Sequence, residues 1–161
     1  MKTIAKLIIM SAAVFSLAAC DNEPDIWETN TKDINGSWVV AVTENNFQDT
    51  LLTYEDACYV YIYNTNDNDN NVWIVDDALV GFKIKAAANM ENLTFQSGDN
   101  FITNGKVVKK GAHVQPPALM GNPIAADSIY FEVKGVDYDD DGTLHDVVFF
   151  GYRHTGWEEE R

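Results

Sequence analysis

Residues 57–64 read Ala-Cys-Tyr-Val-Tyr-Ile-Tyr-Asn, and this stretch decides the fold that we predict. Successive side chains of a β-strand point to opposite faces, so Cys58, Val60 and Ile62 share one face and the three tyrosines share the other. Two partly buried faces are typical of a barrel wall that separates an interior from a second layer. Pairing of aromatic residues across strands on an exposed face explains the same pattern equally well.

The rest of the chain repeats this kind of pattern. Short runs rich in β-branched and aromatic residues alternate with Asn, Asp and Gly clusters, and no long helical period occurs. This predicts an all-β domain, with roughly eight antiparallel strands in a meander that closes into a lipocalin-like barrel. The predicted strands span residues 36–43, 57–64, 72–76, 81–87, 93–97, 106–110, 128–134 and 146–153.

The connections between these strands have their own signals. Leu51, Leu52 and Tyr54, between the first two strands, predict either a helical turn or a short strand. Residues 64–71 contain only Asn, Asp and Thr, which predicts a loop that joins antiparallel strands. Asn104-Gly105 predicts a turn before the sixth strand. An irregular connection is predicted around the prolines, which cannot occupy a central strand: Pro116, Pro117 and Pro123.

Two motifs at the ends of the domain support the barrel prediction. Gly36-Ser37-Trp38 on the first strand and Arg153 on the last resemble the Gly-x-Trp motif and the C-terminal arginine of lipocalins. In that fold the tryptophan packs beneath the arginine across the closed end of the barrel.

The N-terminus is predicted to be a bacterial export signal. Lys2 and Lys6 precede an apolar run over residues 7–19, which is too short to cross a bilayer core of about 30 Å as a retained transmembrane helix. Leu17-Ala18-Ala19-Cys20 resembles the lipobox of bacterial lipoproteins, in which the cysteine takes a diacylglyceryl group and acyl chains such as palmitate. The alternative is an ordinary secretory signal with an accidental cysteine.

This signal divides the chain into a signal peptide (1–19), an acidic tether (20–35) and a β-barrel domain (36–161). We therefore expect an outer-membrane lipoprotein, anchored through Cys20 and exposed on the periplasmic side or at the cell surface. Asp21, Glu23 and Asp25 resemble a surface-export signal of lipoproteins, although a simple solvated tether would look the same.

Composition limits the partners. Without the signal and its two lysines, the chain has 9 basic and 25 acidic residues, a formal charge of −16. Such a surface repels nucleic acid and anionic lipid headgroups. Cys58 is the only cysteine besides Cys20, and its apolar strand indicates a core residue rather than a nucleophile.

The sequence contains no complete motif for a metal site or a catalytic nucleophile. Residues 137–142 match the first half of an EF-hand loop, but Val148 stands where the bidentate carboxylate belongs. A hairpin that turns at Asp141-Gly142, without a specific metal, is the simpler interpretation. The spacing of the three histidines supports no zinc site, and no nucleophile elbow occurs, so we predict no metal, no cofactor and no catalytic residue.

Four stretches together resemble a family of bacterial lipoproteins called lipid-binding putative hydrolases. The most specific is Gly151-Tyr152-Arg153-His154-Thr155-Gly156-Trp157-Glu158, although Tyr152 and His154 depart from the family's usual His and Arg. The resemblance implies a lipocalin-like barrel with an apolar ligand, and it covers residues 36–158. The other three stretches are residues 72–77, 82–85 and 126–132.

The resulting functional prediction is a membrane-anchored barrel that binds a small apolar or lipid-like ligand. Arg153 is a candidate partner for the ligand head group. One alternative is a cell-envelope or glycan-binding surface module, in which the aromatic residues would form an outward platform. A second alternative is a hydrolase that uses His154. The candidate lining of the ligand cavity is Tyr59, Tyr61, Tyr63, Trp73 and Phe82.

Overall fold

In the computed structural model of the protein, residues 29–44, 47–56, 58–77, 79–110 and 126–154 are described. They form nine β-strands and one short 3-10 turn. No helix in these ranges reaches the length and apolar character that crossing a membrane requires. The signal peptide, Cys20, and the predicted proline-rich connection lie outside the described residues.

From β3 to β9 the strands form a meander in which each strand pairs antiparallel with the next, and β2 and β3 both pair antiparallel with β1. The 3-10 turn, Tyr54–Asp56, lies between β2 and β3. The strands are β1 (Gly36–Glu44), β2 (Asp49–Leu52), β3 (Tyr59–Asn64), β4 (Asn71–Asp76), β5 (Lys83–Asn89), β6 (Thr94–Ser97), β7 (Ile102–Val108), β8 (Ser128–Val136) and β9 (His145–Arg153).

Pairing of β1 with β9 closes the sheet into a barrel. The register runs from Trp38 opposite Arg153 to Glu44 opposite Val147. Because β9 takes one edge of β1, β2 and β3 must share the other edge, and together they form one interrupted barrel strand. The predicted eight-stranded antiparallel barrel is therefore confirmed. The sequence predicted either a helical turn or a short strand around Leu51, Leu52 and Tyr54. The structure has both, because the two leucines lie in β2 and Tyr54 begins the 3-10 turn.

The barrel interior is apolar and centred on aromatic rings. Phe131 and Phe149 stack with centroids 4.8 Å apart, and Phe95 lies 5.8 Å from Phe131. Phe82 meets Phe149 edge-on at 6.2 Å. Aliphatic side chains from alternate strand positions surround these rings, as the period of two requires.

A second layer covers part of the outer wall. Val39 and Tyr152 are buried on the outer side of β1 and β9, although they point away from the main core. The ring of Tyr54, in the 3-10 turn, packs 5.5 Å from Tyr152 and 6.1 Å from Phe150. Phe47 adds a further edge contact to Phe150 at 5.4 Å. The segment between β1 and β3 thus folds back over the barrel.

The prediction of a turn at Asn104-Gly105 is wrong. Both residues lie inside β7, where the register shifts between Thr103 and Lys106 and Asn104 takes a left-handed φ of 53°. The pair therefore forms a bulge, and the chain reverses earlier, at residues 98–101. An Asn-Gly pair is compatible with a hairpin turn and with a bulge, because each of these structures needs a residue with a positive φ.

The bulge places Gly105 directly against Phe95, and this close approach supports a prediction. A Cβ at Gly105 would overlap the ring and carbonyl oxygen of Phe95, whereas a Cβ at Gly98 would meet nothing within 4 Å. We expect Gly105→Ala to lower the free energy of unfolding by about 1–3 kcal/mol, as overpacking does. Gly98→Ala is the matched control and should stay within about 0.5 kcal/mol of wild type in urea denaturation. Equal midpoints for the two variants would contradict this account.

Candidate functional site

One end of the barrel is closed by Arg153. Its guanidinium carbon lies 4.3 Å from the centroid of the Trp38 ring, which confirms the tryptophan–arginine packing that the lipocalin resemblance implied. Gly36 permits this arrangement, because a Cβ there would lie 2.5 Å from Nη1 of Arg153. Residues 29–35, assigned to the tether by sequence, fold as turns at this end, and Ile34 is fully buried.

The hydrogen-bond donors of Arg153 are directed at protein acceptors. Nε donates to Asp127 at 3.1 Å, Nη2 donates to the Asp33 carbonyl at 2.7 Å, and Nη1 donates to the Asn35 carbonyl. Burial raises the pKa of Asp127, but the Lys110 N–H bond and the nearby cations outweigh burial, so the pKa is lowered overall. Arg153 therefore acts as a structural clamp in this structure. Its predicted role with a ligand head group stays a prediction.

The opposite end of the barrel has an apolar rim. Successive strands alternate in direction, so the β4–β5 turn, the β6–β7 turn and the β8–β9 loop all lie at this end. Phe82 and Phe101 meet edge-on at 5.3 Å, and Phe82 also contacts Phe149 of the interior. The side chains that we call the rim are all partly exposed and pack on the core: Leu79, Val80, Phe82, Phe101 and Tyr138.

Asp76 shapes this rim. Its side chain is buried, with 2 % exposure, and Oδ2 accepts hydrogen bonds from the backbone N–H groups of Val80 at 2.7 Å and Gly81 at 3.1 Å. Leu79 N–H donates to the same oxygen at 3.3 Å. The carboxylate thereby holds in place the turn that carries two rim residues. The sequence alone does not reveal this role, because an aspartate at a strand end gives no signal of which amide N–H groups it will accept hydrogen bonds from.

A polar cluster lies beside the rim. Nδ1 of His145 is 2.6 Å from Oε1 of Glu44, and the Tyr138 hydroxyl donates to Glu44 Oε2 at 3.0 Å. The hydrogen bond with Glu44 raises the pKa of His145 above its ordinary value, and Asp139 and Asp141 add to this effect. Sequence reasoning missed this group because Glu44 and His145 are 101 positions apart.

The β8–β9 loop has the predicted hairpin form, and Gly142 adopts a positive φ of 85° within it. Asp139, Asp141 and His145 place three potential ligand atoms within 4.8 Å of one another, so these residues could hold a divalent cation. Both aspartates are exposed. The expectation that the loop has no specific metal stays a prediction.

The structure separates the predicted lining residues. Val60 and Ile62 of β3 are buried in the core, so Tyr59, Tyr61 and Tyr63 project outward. The prediction that these tyrosines face the interior is therefore wrong. Trp73 also projects outward, because its neighbours Val72 and Ile74 are the buried residues of β4. Of the predicted lining, only Phe82 is packed against the core. Ligand binding by any of these residues stays a prediction.

Cys58 and His154, which were considered as chemically active residues, are both held by ordinary packing contacts. Cys58 is a free, buried thiol whose Sγ lies 3.7 Å from the Asp56 carbonyl oxygen, and burial raises its pKa. This agrees with a core role. The ring of His154 packs edge-on against Tyr59 at 5.6 Å, and its backbone N–H donates to the Ser37 carbonyl. The hydrolase that would use His154 stays an untested alternative.

A comparison with protein-family models matches residues 23–158 to the family described as lipid-binding putative hydrolase. The chain belongs to this family. A search of curated proteins found no match.

The stretches that resemble the lipid-binding putative hydrolase family contribute residues to both ends of the barrel. Residues 72–77 and 82–85 flank the turn that Asp76 organises. Residues 126–132 supply Asp127, which receives the hydrogen bond from Arg153 at the closed end. The family resemblance therefore covers both the clamp and one side of the rim.

The Glu44–His145 pair predicts a pH-dependent stability. Because the pKa of folded His145 is raised above its unfolded value of about 6.5, the pair stabilises fully below that pH. The stabilisation is lost as the pH rises through the raised pKa. We expect His145→Gln to lower the urea midpoint more at about pH 5.5 than at about pH 8.5. An equal loss at both pH values, or an unshifted NMR titration of His145, would contradict this assignment.

Proposed function

We propose that this protein is a tethered barrel that takes up the apolar chain of a small lipid-like ligand through the rim. The observation that carries the proposal is the group of partly exposed apolar side chains at the end opposite the Arg153 clamp. Membership in the lipid-binding family supports the same conclusion. Each methylene transferred from water to this apolar site would contribute about 0.8 kcal/mol.

The charges around the rim suggest what kind of head group the ligand has. Glu44, Asp77, Asp139 and Asp141 lie on the strand end, the turn and the loop that surround the rim. An anionic head group would be repelled there, since these carboxylates add to the acidic charge of the whole chain. A neutral or cationic head group fits better, and His145 and Tyr138 are nearby polar groups that could contact it.

The proposed anchor is the lipidated Cys20, in the outer membrane. Residues 29–35 pack at the clamped end, so the tether from Cys20 would join the barrel there. The eight residues between Cys20 and Thr29 can span at most about 30 Å. In this arrangement the rim would face away from the anchoring membrane. It would then meet lipid that is in solution or that a partner protein delivers.

A binding assay with a fluorescent acyl chain that carries a neutral head group tests the ligand site. Val80→Lys places a charge on the rim and should weaken binding at least ten-fold. Trp73→Ala, on the outer wall, should leave the affinity unchanged. Urea midpoints would exclude unfolding as the cause. Absence of binding by wild type, or equal affinity in Val80→Lys, would overturn the proposed site.

The anchor is tested separately by metabolic labelling. Cys20→Ser removes the thiol that would carry the diacylglyceryl group, so labelled palmitate should be lost from the mature protein. Replacing the buried Cys58 by Ser is the matched control and should leave labelling intact. Palmitate incorporation at wild-type level in Cys20→Ser would contradict the lipoprotein assignment.

A further inference from the structure

The outer face of strands β3 to β7 differs in charge from the rest of the protein. The chain has 25 acidic and 11 basic residues. Yet these five strands contain one carboxylate, Asp76, which is buried beneath the β4–β5 turn. Lys83, Lys85 and Lys106 are exposed on the same strands. We call the outward positions of these strands the β3–β7 face, and it is a basic strip on an acidic molecule.

Aromatic side chains occupy one side of the β3–β7 face. Tyr61 and Tyr63 are 37 % and 39 % exposed, and Trp73 is the cross-strand partner of Tyr63. Tyr59 and Tyr61 lie nearly parallel, with an interplanar angle of 19°. Nζ of Lys83 lies 5.0 Å from the Trp73 ring centroid and 5.5 Å from that of Tyr63. Cations and flat apolar rings are therefore immediate neighbours.

A shallow groove of about 340 Å³ continues the face across β5, β6 and β7. The β7 bulge forms part of this groove, because Asn104 and Gly105 are among the residues that line it. Carboxamide side chains and one lysine line the groove, and these groups donate and accept hydrogen bonds: Asn89, Gln96, Asn104 and Lys106.

We propose that the β3–β7 face is a binding site for an acidic glycan. The C–H faces of sugar rings would stack on Tyr61, Tyr63 and Trp73, because both surfaces are flat and apolar. Carboxylate, sulfate or phosphate groups on the glycan would pair with Lys83 and Lys85, and hydroxyls would bond to the amides of the groove. This site is separate from the rim, so it does not depend on the proposed lipid ligand.

The shape of the charge distribution favours a glycan chain over an anionic membrane. Five strands at a spacing of about 4.8 Å make a strip roughly 19 Å across, which a single extended chain can follow. A membrane is a plane, and it would also meet the acidic loops at both ends of the strip. The exposed large side chains of the strip are tyrosines rather than aliphatic residues that insert into lipid. The acidic residues of those loops are Asp67, Asp69, Asp77, Glu91 and Asp99.

Calorimetry with three acidic probes tests the proposal: an oligogalacturonate, chondroitin sulfate and a phosphorylated oligosaccharide. Neutral oligogalactose is the matched neutral probe. We expect wild type to bind at least one acidic probe at low salt, with a weaker affinity for the neutral one. Trp73→Ala and the double variant Lys83→Gln, Lys85→Gln should each weaken that binding at least ten-fold. Lys134→Gln, a lysine on the neighbouring β8, is the control and should bind as wild type does.

Three results would overturn the glycan site. They are no binding of any acidic probe by wild type, unchanged affinity in both site variants, or binding only to vesicles that contain anionic lipid. The last result would assign the face to a membrane instead. Denaturant midpoints for each variant separate loss of the site from loss of the fold. The fluorescent acyl chain serves as a second readout, since its binding at the rim should survive in Trp73→Ala.

Discussion

The antiparallel pairing of β1 with β9 is the contact on which the rest of the structure depends. It turns a meander with two open edges into a barrel that has an interior and two ends. At each end of this β1–β9 pairing, a side chain of β1 contacts a side chain of β9. Trp38 faces Arg153 at one end, and Glu44 bonds His145 at the other. Residues more than 100 positions apart therefore meet only after closure.

Closure also gives the two ends different chemistry. At the clamped end, Arg153 donates to two backbone carbonyls and to Asp127, so its guanidinium is held by protein acceptors. At the rim, Asp76 satisfies the amides of its turn and leaves apolar side chains partly exposed. The two ends of the barrel therefore differ: one is held by hydrogen bonds, and the other has partly exposed apolar side chains on which the proposed uptake of an apolar chain depends. This asymmetry links the fold to the lipid-binding role that the family implies.

The outer wall is divided in a similar way. Over β1 and β9 it is covered by the 3-10 turn segment, which buries Val39 and Tyr152. Over β3 to β7 it is open, basic and rich in aromatic rings. The covered part contributes to stability because it removes apolar surface from water. The open part retains exposed tyrosines and lysines. Packing does not explain their exposure, whereas the glycan-binding role proposed for the β3–β7 face does.

The alternation of residues determined the all-β class, the meander and the approximate position of each barrel strand, because the period of two is a local property of the backbone. The Gly-x-Trp motif and Arg153 also indicated the clamped end correctly. Local signals were insufficient at Asn104-Gly105, since a bulge and a turn require the same positive φ. The direction in which each face of β3 (Tyr59–Asn64) points is set only by the tertiary structure. Both faces of that stretch are largely apolar, and a shift by one residue exchanges them. In the closed barrel the phenylalanines of β8 and β9 take the central space, so Val60 and Ile62 pack beside them. The larger tyrosines lie outside, where their hydroxyl groups can reach water.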